Sequence, residues 1–247
     1  MRGKSIRLSP ARRIVSDLSY FARRTPLGVM TIRMNIAPVL AARAAAPDRP
    51  PLSALLMKGF ALVAARHAPL RQAYVKFPWP HLYEYPASVG GVVVEREVEG
   101  EAAIFIARVK NPESRPLSEV AALLANAKSA PLASIKDFRL TLALGRFPLL
   151  IRRFVWWLGL NLGRQRANYF PTFLISLLGQ GGIGINYPVM PFTLFLSIGP
   201  ISPEGEVTLT CAFDHRGMDG AVVARGMAEL EDALNGPIAD ELRSAGS

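Results

Sequence analysis

The chain has 247 residues, half of them hydrophobic, which allows one large domain with a sizeable core or two small ones. Its formal charge of +10 comes from two segments: residues 1–25 and 131–170 each carry seven basic residues and one Asp, and the remainder sums to −2. A single cysteine, Cys211, excludes an internal disulfide and suits a reducing compartment, and there is neither a signal peptide nor a run of about 18 uncharged apolar residues able to span a bilayer.

The expected location is therefore cytoplasmic, with a peripheral position on the inner face of a membrane as the variant. Nucleic acid is not expected as a partner. The arginines are interleaved with large aliphatics rather than gathered on a polar face, and no nucleic-acid-binding motif is present. A basic surface of this kind is either simply solvated or attracts an anionic cosubstrate, an acidic carrier protein or an anionic membrane.

Ser9-Pro10 opens a helix, a capping hydroxyl followed by Pro at the first helical position, with Ile14, Leu18 and Phe21 at helical spacing. Met30, Ile32, Met34 and Ile36 then alternate with polar residues, the pattern of a half-buried strand. Residues 37–45 read as a helix. After the Asp48-Arg49-Pro50-Pro51 loop, Ser53 is expected to cap an Ala- and Leu-rich helix running to about His67. A short strand over 70–75 leads into Phe77-Pro78-Trp79-Pro80-His81, too proline-rich for a central strand.

Residues 92–98 and 102–109 read as two strands joined at Glu99-Gly100, and 116–130 as a helix. The 131–168 segment is apolar and studded with arginine, with Leu150, Phe154, Trp157 and Asn161 on one helical face. Three readings stay open for it: an extra helix packed on the domain, an interfacial helix with Trp at the headgroup level and Arg toward anionic lipid, or a wall for a long acyl chain. Thr193 to Ile198 and Val207 to Phe213 read as paired strands turning at Pro203-Glu204-Gly205.

The last strand runs into Asp214-His215-Arg216-Gly217-Met218-Asp219-Gly220, and a helix follows over 221–234. A histidine thus sits on a loop carried by rigid elements, where side chains reach solvent and substrate. Asp219 is placed for its carboxylate to cap that helix.

This stretch resembles the Asp-His-Arg-x-x-Asp-Gly signature of the dihydrolipoyl acyltransferase catalytic domains of 2-oxoacid dehydrogenase complexes, and more distantly the His-x-x-x-Asp-Gly of chloramphenicol acetyltransferase. Asp214, His215, Arg216, Asp219 and Gly220 match. Leu8-Ser9-Pro10-Ala11-Arg12 resembles the early Leu-Ser/Thr-x-x-Arg of the same family. Phe173-Leu174-Ile175-Ser176-Leu177-Leu178-Gly179 resembles its Phe-Thr-Ile-Ser/Thr-x-x-Gly, with the glycine-rich 179–184 turn after it. Residues 8–130 and 169–236 follow the family pattern, and 131–168 stands outside it as an insertion.

The resemblance implies a single-domain α/β fold, the two-layer chloramphenicol acetyltransferase-like mixed sheet packed with helices. It implies acyl transfer from a thioester to a hydroxyl, amine or thiol, possibly on a lipid, with His215 as general base and Ser176 donating to the oxyanion. Asp219 would pair with an arginine to hold the loop, Arg12 being the candidate partner. Arg216, Asp214 and Gly220 would support the site. The donor would be acyl-coenzyme A or acyl carrier protein, with no bound cofactor and no metal, since neither His67 nor His81 has a ligand set around it.

The assembly implied is a homotrimer with the site between chains. The polar C-terminal residues suggest that it stops at trimers, and the absence of a lipoyl domain suggests a stand-alone enzyme. The alternatives are a small-molecule acetyltransferase and a trimeric scaffold of the same fold without turnover.

Overall fold

The computed structural model describes residues 1–177 and 188–245. In chain order the elements are α1 (Pro10–Ala22), β1 (Leu27–Asn35), α2 (Ala37–Ala45), α3 (Leu52–Arg66), β2 (Gln72–Val75), β3 (His81–Glu84), β4 (Val89–Val98), β5 (Glu101–Lys110) and α4 (Leu117–Ser129). Then follow α5 (Lys136–Arg146), α6 (Leu149–Asn161), α7 (Gly163–Tyr169), β6 (Phe173–Leu177), β7 (Leu194–Ile201), β8 (Glu206–Asp214), α8 (Gly220–Ala233) and α9 (Ala239–Ser244). Six strands make one mixed sheet in the order β1-β8-β7-β6-β4-β5, and β2 and β3 form a separate two-stranded ribbon. β6 runs parallel to both neighbours, and the other pairs are antiparallel. This is the mixed-sheet α/β architecture expected.

Period-two alternation decides which face of the sheet is core. Ile175 on β6, Leu194 and Leu196 on β7, and Leu209, Cys211 and Phe213 on β8 all join the main core cluster. α3 fills the space over that face. Its Phe60 meets Phe173 edge-on, ring centroids 4.8 Å apart, and Leu55, Leu56, Met57 and Phe60 are all buried. Each such side chain contributes about 1.5–3 kcal/mol by leaving water.

Local sequence signals explain most element ends. The Ser9 hydroxyl accepts the Arg12 N–H at 3.2 Å, and Pro10 stands in the first turn of α1. The β4–β5 turn places Glu99 at φ 54° and Gly100 at φ 79°, the left-handed pair that a tight hairpin needs. Ser53 departs from expectation. α3 starts two residues earlier, capped by the Pro51 backbone, and Ser53 is buried inside the first turn with its hydroxyl unpartnered.

The 131–168 segment folds as α5, α6 and α7 and packs on the domain. Its anchor is a buried ion pair: Arg152 reaches both carboxylate oxygens of Asp17 on α1, at 2.6 and 3.3 Å. The Arg153 guanidinium stacks on the Tyr20 ring at 3.7 Å, and Trp156 lies between Phe21 and Phe170. The buried stripe of α6 is thus Arg152, Trp156, Gly159 and Leu160. Leu150, Phe154 and Trp157 share a face as expected, and that face points outward. No helix among the described residues is long and apolar enough to cross a membrane.

Candidate active site

β8 ends at Asp214, and the next five residues turn the chain into α8. The turn is held from inside. Asp214 is buried, and its carboxylate takes two bonds from its own neighbour: Arg216 Nε to Oδ1 at 2.8 Å and Nη2 to Oδ2 at 2.7 Å. The Arg216 backbone N–H also donates to Oδ1 at 3.1 Å, and the Gly217 N–H donates to the Asp214 carbonyl at 3.0 Å. A buried carboxylate tied three ways, with the Asp214 carbonyl held as well, fixes the path of the residue in between, which is His215. Its own N–H donates to the Pro26 carbonyl at 3.0 Å.

The His215 side chain is about half exposed, with Nδ1 3.8 Å from Asp219 Oδ1. That separation is too long for a hydrogen bond, so the carboxylate stands beside the imidazole without bonding it. The imidazole leans on Phe213, centroids 5.4 Å apart. Phe213 in turn covers Gly28 of β1, where a Cβ would run into the ring. Glycine at 28 is thus required by the close approach of the ring that supports the histidine.

A buried layer lies behind the turn. Arg166 of α7 donates to the Leu160 carbonyl at 3.1 Å and the Pro191 carbonyl at 3.2 Å. Burial pushes its pKa down, and Tyr85 and Asp214 pull it back up. Burial pushes the Tyr85 hydroxyl up to about 12 against the pull of Arg166. The Arg216 guanidinium lies over the Tyr74 ring at 4.5 Å. Sequence reasoning missed Arg166 and Tyr74, and marks Tyr83-Glu84-Tyr85 only as residues that could line a pocket. The first two reach the site from the insertion and the β2–β3 ribbon, and no local pattern marks them.

Two sequence expectations need correction. Asp219 occupies the cap position of α8, but its side chain makes no capping hydrogen bond; the Val222 N–H bonds its backbone carbonyl instead, at 3.0 Å. Arg12 is not its partner. Arg12 lies in the first turn of α1 and pairs with Glu101 at 3.6 Å, whereas Pro26, which touches His215, lies beyond the far end of that helix, which is about 15 Å from Arg12 at 1.5 Å per residue. Arg216, expected to support the site, pairs with Asp214 across the turn.

Ser176 is buried on β6, on the sheet face away from α3. It pairs in register with Ser197 on β7, which pairs with Thr210 on β8 and thence Thr31 on β1, a row of four hydroxyls across four strands. Within one chain this row does not meet His215, which is five residues beyond Thr210 and two strands from Ser176. At about 3.4 Å per residue and 4.8 Å between strands, the two are about 20 Å apart. The glycine-rich turn expected at 179–184 lies outside the described residues. Cys211 is buried in the core, which pushes its thiol pKa well up, so it is no nucleophile. Among the described residues no group of His, Cys, Asp and Glu comes together as a metal site.

No family model matches the sequence, and no curated protein matches it. Solved structures do match its fold. The dihydrolipoamide acetyltransferase of Azotobacter vinelandii is similar over 96% of this chain and 93% of that one, with 17% identity and a TM-score of 0.71. The chain has the dihydrolipoyl acyltransferase fold. The cubic core of a pyruvate dehydrogenase multienzyme complex is similar over 96% of this chain and 93% of that one, with 18% identity and a TM-score of 0.67. A chloramphenicol acetyltransferase is similar over 90% and 94%, with 11% identity and a TM-score of 0.51.

Proposed function

We propose that the protein is an acyltransferase that moves an acyl group from a thioester, acyl-coenzyme A or acyl carrier protein, to a hydroxyl, amine or thiol. The observation that carries this reading is a half-exposed histidine on a turn fixed by a buried Asp214–Arg216 pair, within an acyltransferase fold. In the Azotobacter enzyme a serine, a histidine and an asparagine four residues after it were investigated for roles in the catalytic mechanism. His215 and Asp219 have the same four-residue spacing, and Ser176 is the hydroxyl residue that the sequence resemblance puts in the serine's role.

The step needs no covalent enzyme intermediate. His215 takes the proton from the acceptor as its oxygen, nitrogen or sulfur attacks the thioester carbonyl. The Ser176 hydroxyl donates to the oxyanion that forms, a contact worth about 3 kcal/mol of barrier in comparable sites. As the tetrahedral centre collapses, the C–S bond breaks and the departing thiolate takes the proton from His215. Asp219 supports the transient imidazolium across 3.8 Å.

Serine and histidine belong to one site only when two chains supply them, because register separates them within a chain. The site is therefore read as lying between subunits of a homotrimer, the assembly implied by the resemblance. The cytoplasm is the compartment proposed, in keeping with a single thiol.

The test compares cells lacking the protein with cells restored by wild type or by His215→Ala. Mass spectrometry of lipid and soluble extracts is expected to show a species present only with wild type, whose mass gives acyl group and acceptor together. Identical profiles from wild type and His215→Ala would leave a scaffold of the same fold as the reading.

A further inference from the structure

α6 presents an apolar face to solvent. Leu150 is 83% exposed and Phe154 60%, with Phe147 and Trp157 beside them. The tip of the β2–β3 ribbon extends the same surface. Phe77 meets Trp157, ring centroids 5.9 Å apart, and Trp79 is exposed next to it. Six large apolar side chains on one patch exceed the scatter of single hydrophobics usual on a soluble surface.

The charges around the patch have one sign. Arg146, Arg164 and Lys76 are exposed and make no ion pair among the described residues. Between Asp137 and Glu204 the sequence holds six arginines and no acid. The occupant of this face must be apolar at its centre and anionic at its rim. A second copy of the chain fits poorly, since outside the two basic segments its charge sums only to −2.

We infer that α6 and the tip of the β2–β3 ribbon dock the protein on an anionic lipid bilayer. The rings and aliphatics enter the boundary between acyl chains and headgroups, and Arg146, Arg164 and Lys76 lie among the phosphates. Arg153 stays behind on Tyr20 and fixes the helix to the domain. The ribbon also joins this face to the His215 turn. Tyr74, under Arg216, is three residues from Phe77, about 10 Å of extended chain. If acyl transfer is the reaction, a lipid-borne substrate approaches His215 along this ribbon; the docking itself does not depend on that reading.

Co-sedimentation of the full chain with vesicles tests the docking. Wild type is expected to bind phosphatidylcholine vesicles containing phosphatidylglycerol at least about tenfold more tightly than pure phosphatidylcholine, and to lose most of that preference in high salt. Leu150→Glu/Phe154→Glu, at two exposed positions, is expected to lower binding by a further tenfold or so while keeping the wild-type circular dichroism and mass in solution. Equal binding to both vesicle types, or none to either, overturns the inference without recourse to a variant. So does a double variant that binds like wild type, or one that changes the oligomeric mass in the absence of lipid, which would make the face a contact between chains.

Discussion

Ser176 lies level with Thr210, two strands away in the sheet, and Thr210 is itself five residues short of His215. The hydroxyl and the imidazole read as partners in one reaction are therefore set apart within a chain. This gives the proposed site its main vulnerability to test: each residue has to matter, and in different subunits.

His215→Ala should lower turnover by about 10²–10⁴, the usual worth of a general base. The side chain is half exposed and carries none of the hydrogen bonds that hold the turn, so the melting temperature should stay close to wild type. Ser176→Ala should lower kcat by about 10²–10³ with little change in KM, as expected for a contact made to an oxyanion. Steady-state kinetics with the acceptor identified from cell extracts would show both.

Asp214→Asn should act through stability. Asp214 is buried between Arg216 and the attraction of a buried Arg166. Loss of its charge should cost about 3 kcal/mol, the low end for a broken buried pair because Arg216 keeps some contact with water. Urea unfolding would measure the loss, and activity would fall with it as the His215 turn loosens.

The Asp17–Arg152 pair should behave as a buried unit. Arg152→Met alone leaves a carboxylate inside the protein and should cost about 3–5 kcal/mol, whereas Asp17→Leu with Arg152→Met should recover most of that loss. A double-mutant cycle in urea would separate the two effects. Arg153, with its Nε 3.6 Å from the same carboxylate, will soften the first value.

Alkaline pH should expose Tyr85. Its pKa is raised from 10.0 in the open chain to about 12 in the fold by burial. A raised folded pKa means that the stability it represents is complete below pH 10 and disappears as pH climbs toward 12. Between those limits wild type should lose up to about 2–3 kcal/mol that Tyr85→Phe does not lose. Urea midpoints of the two proteins across that range would show the difference.

Where neighbours in sequence are also neighbours in space, the chain was readable. The Ser9 cap, the Glu99-Gly100 hairpin and the strand–turn–helix around His215 all follow from local backbone chemistry, and each appears where the residues put it. What escaped reading is long-range. Asp17 and Arg152 meet across 135 positions, and nothing in either segment names the other. The resemblance matches Arg12 to Asp219, but the start of α1 stands at Glu101 instead. The outward turn of Leu150, Phe154 and Trp157 was legible as a shared face, not as an exposed one. That depended on Arg152 and Trp156 finding partners on α1.

The measurement that bears most directly on the central claim is complementation between subunits. Cells would express His215→Ala chains, Ser176→Ala chains, or both together, and the product seen with wild type would be quantified. A site built between chains predicts almost no product from either variant alone and a clear recovery from the pair, because mixed assemblies contain intact interfaces. No recovery, with mixed assemblies shown to form, would contradict a shared site and the pairing of Ser176 with His215.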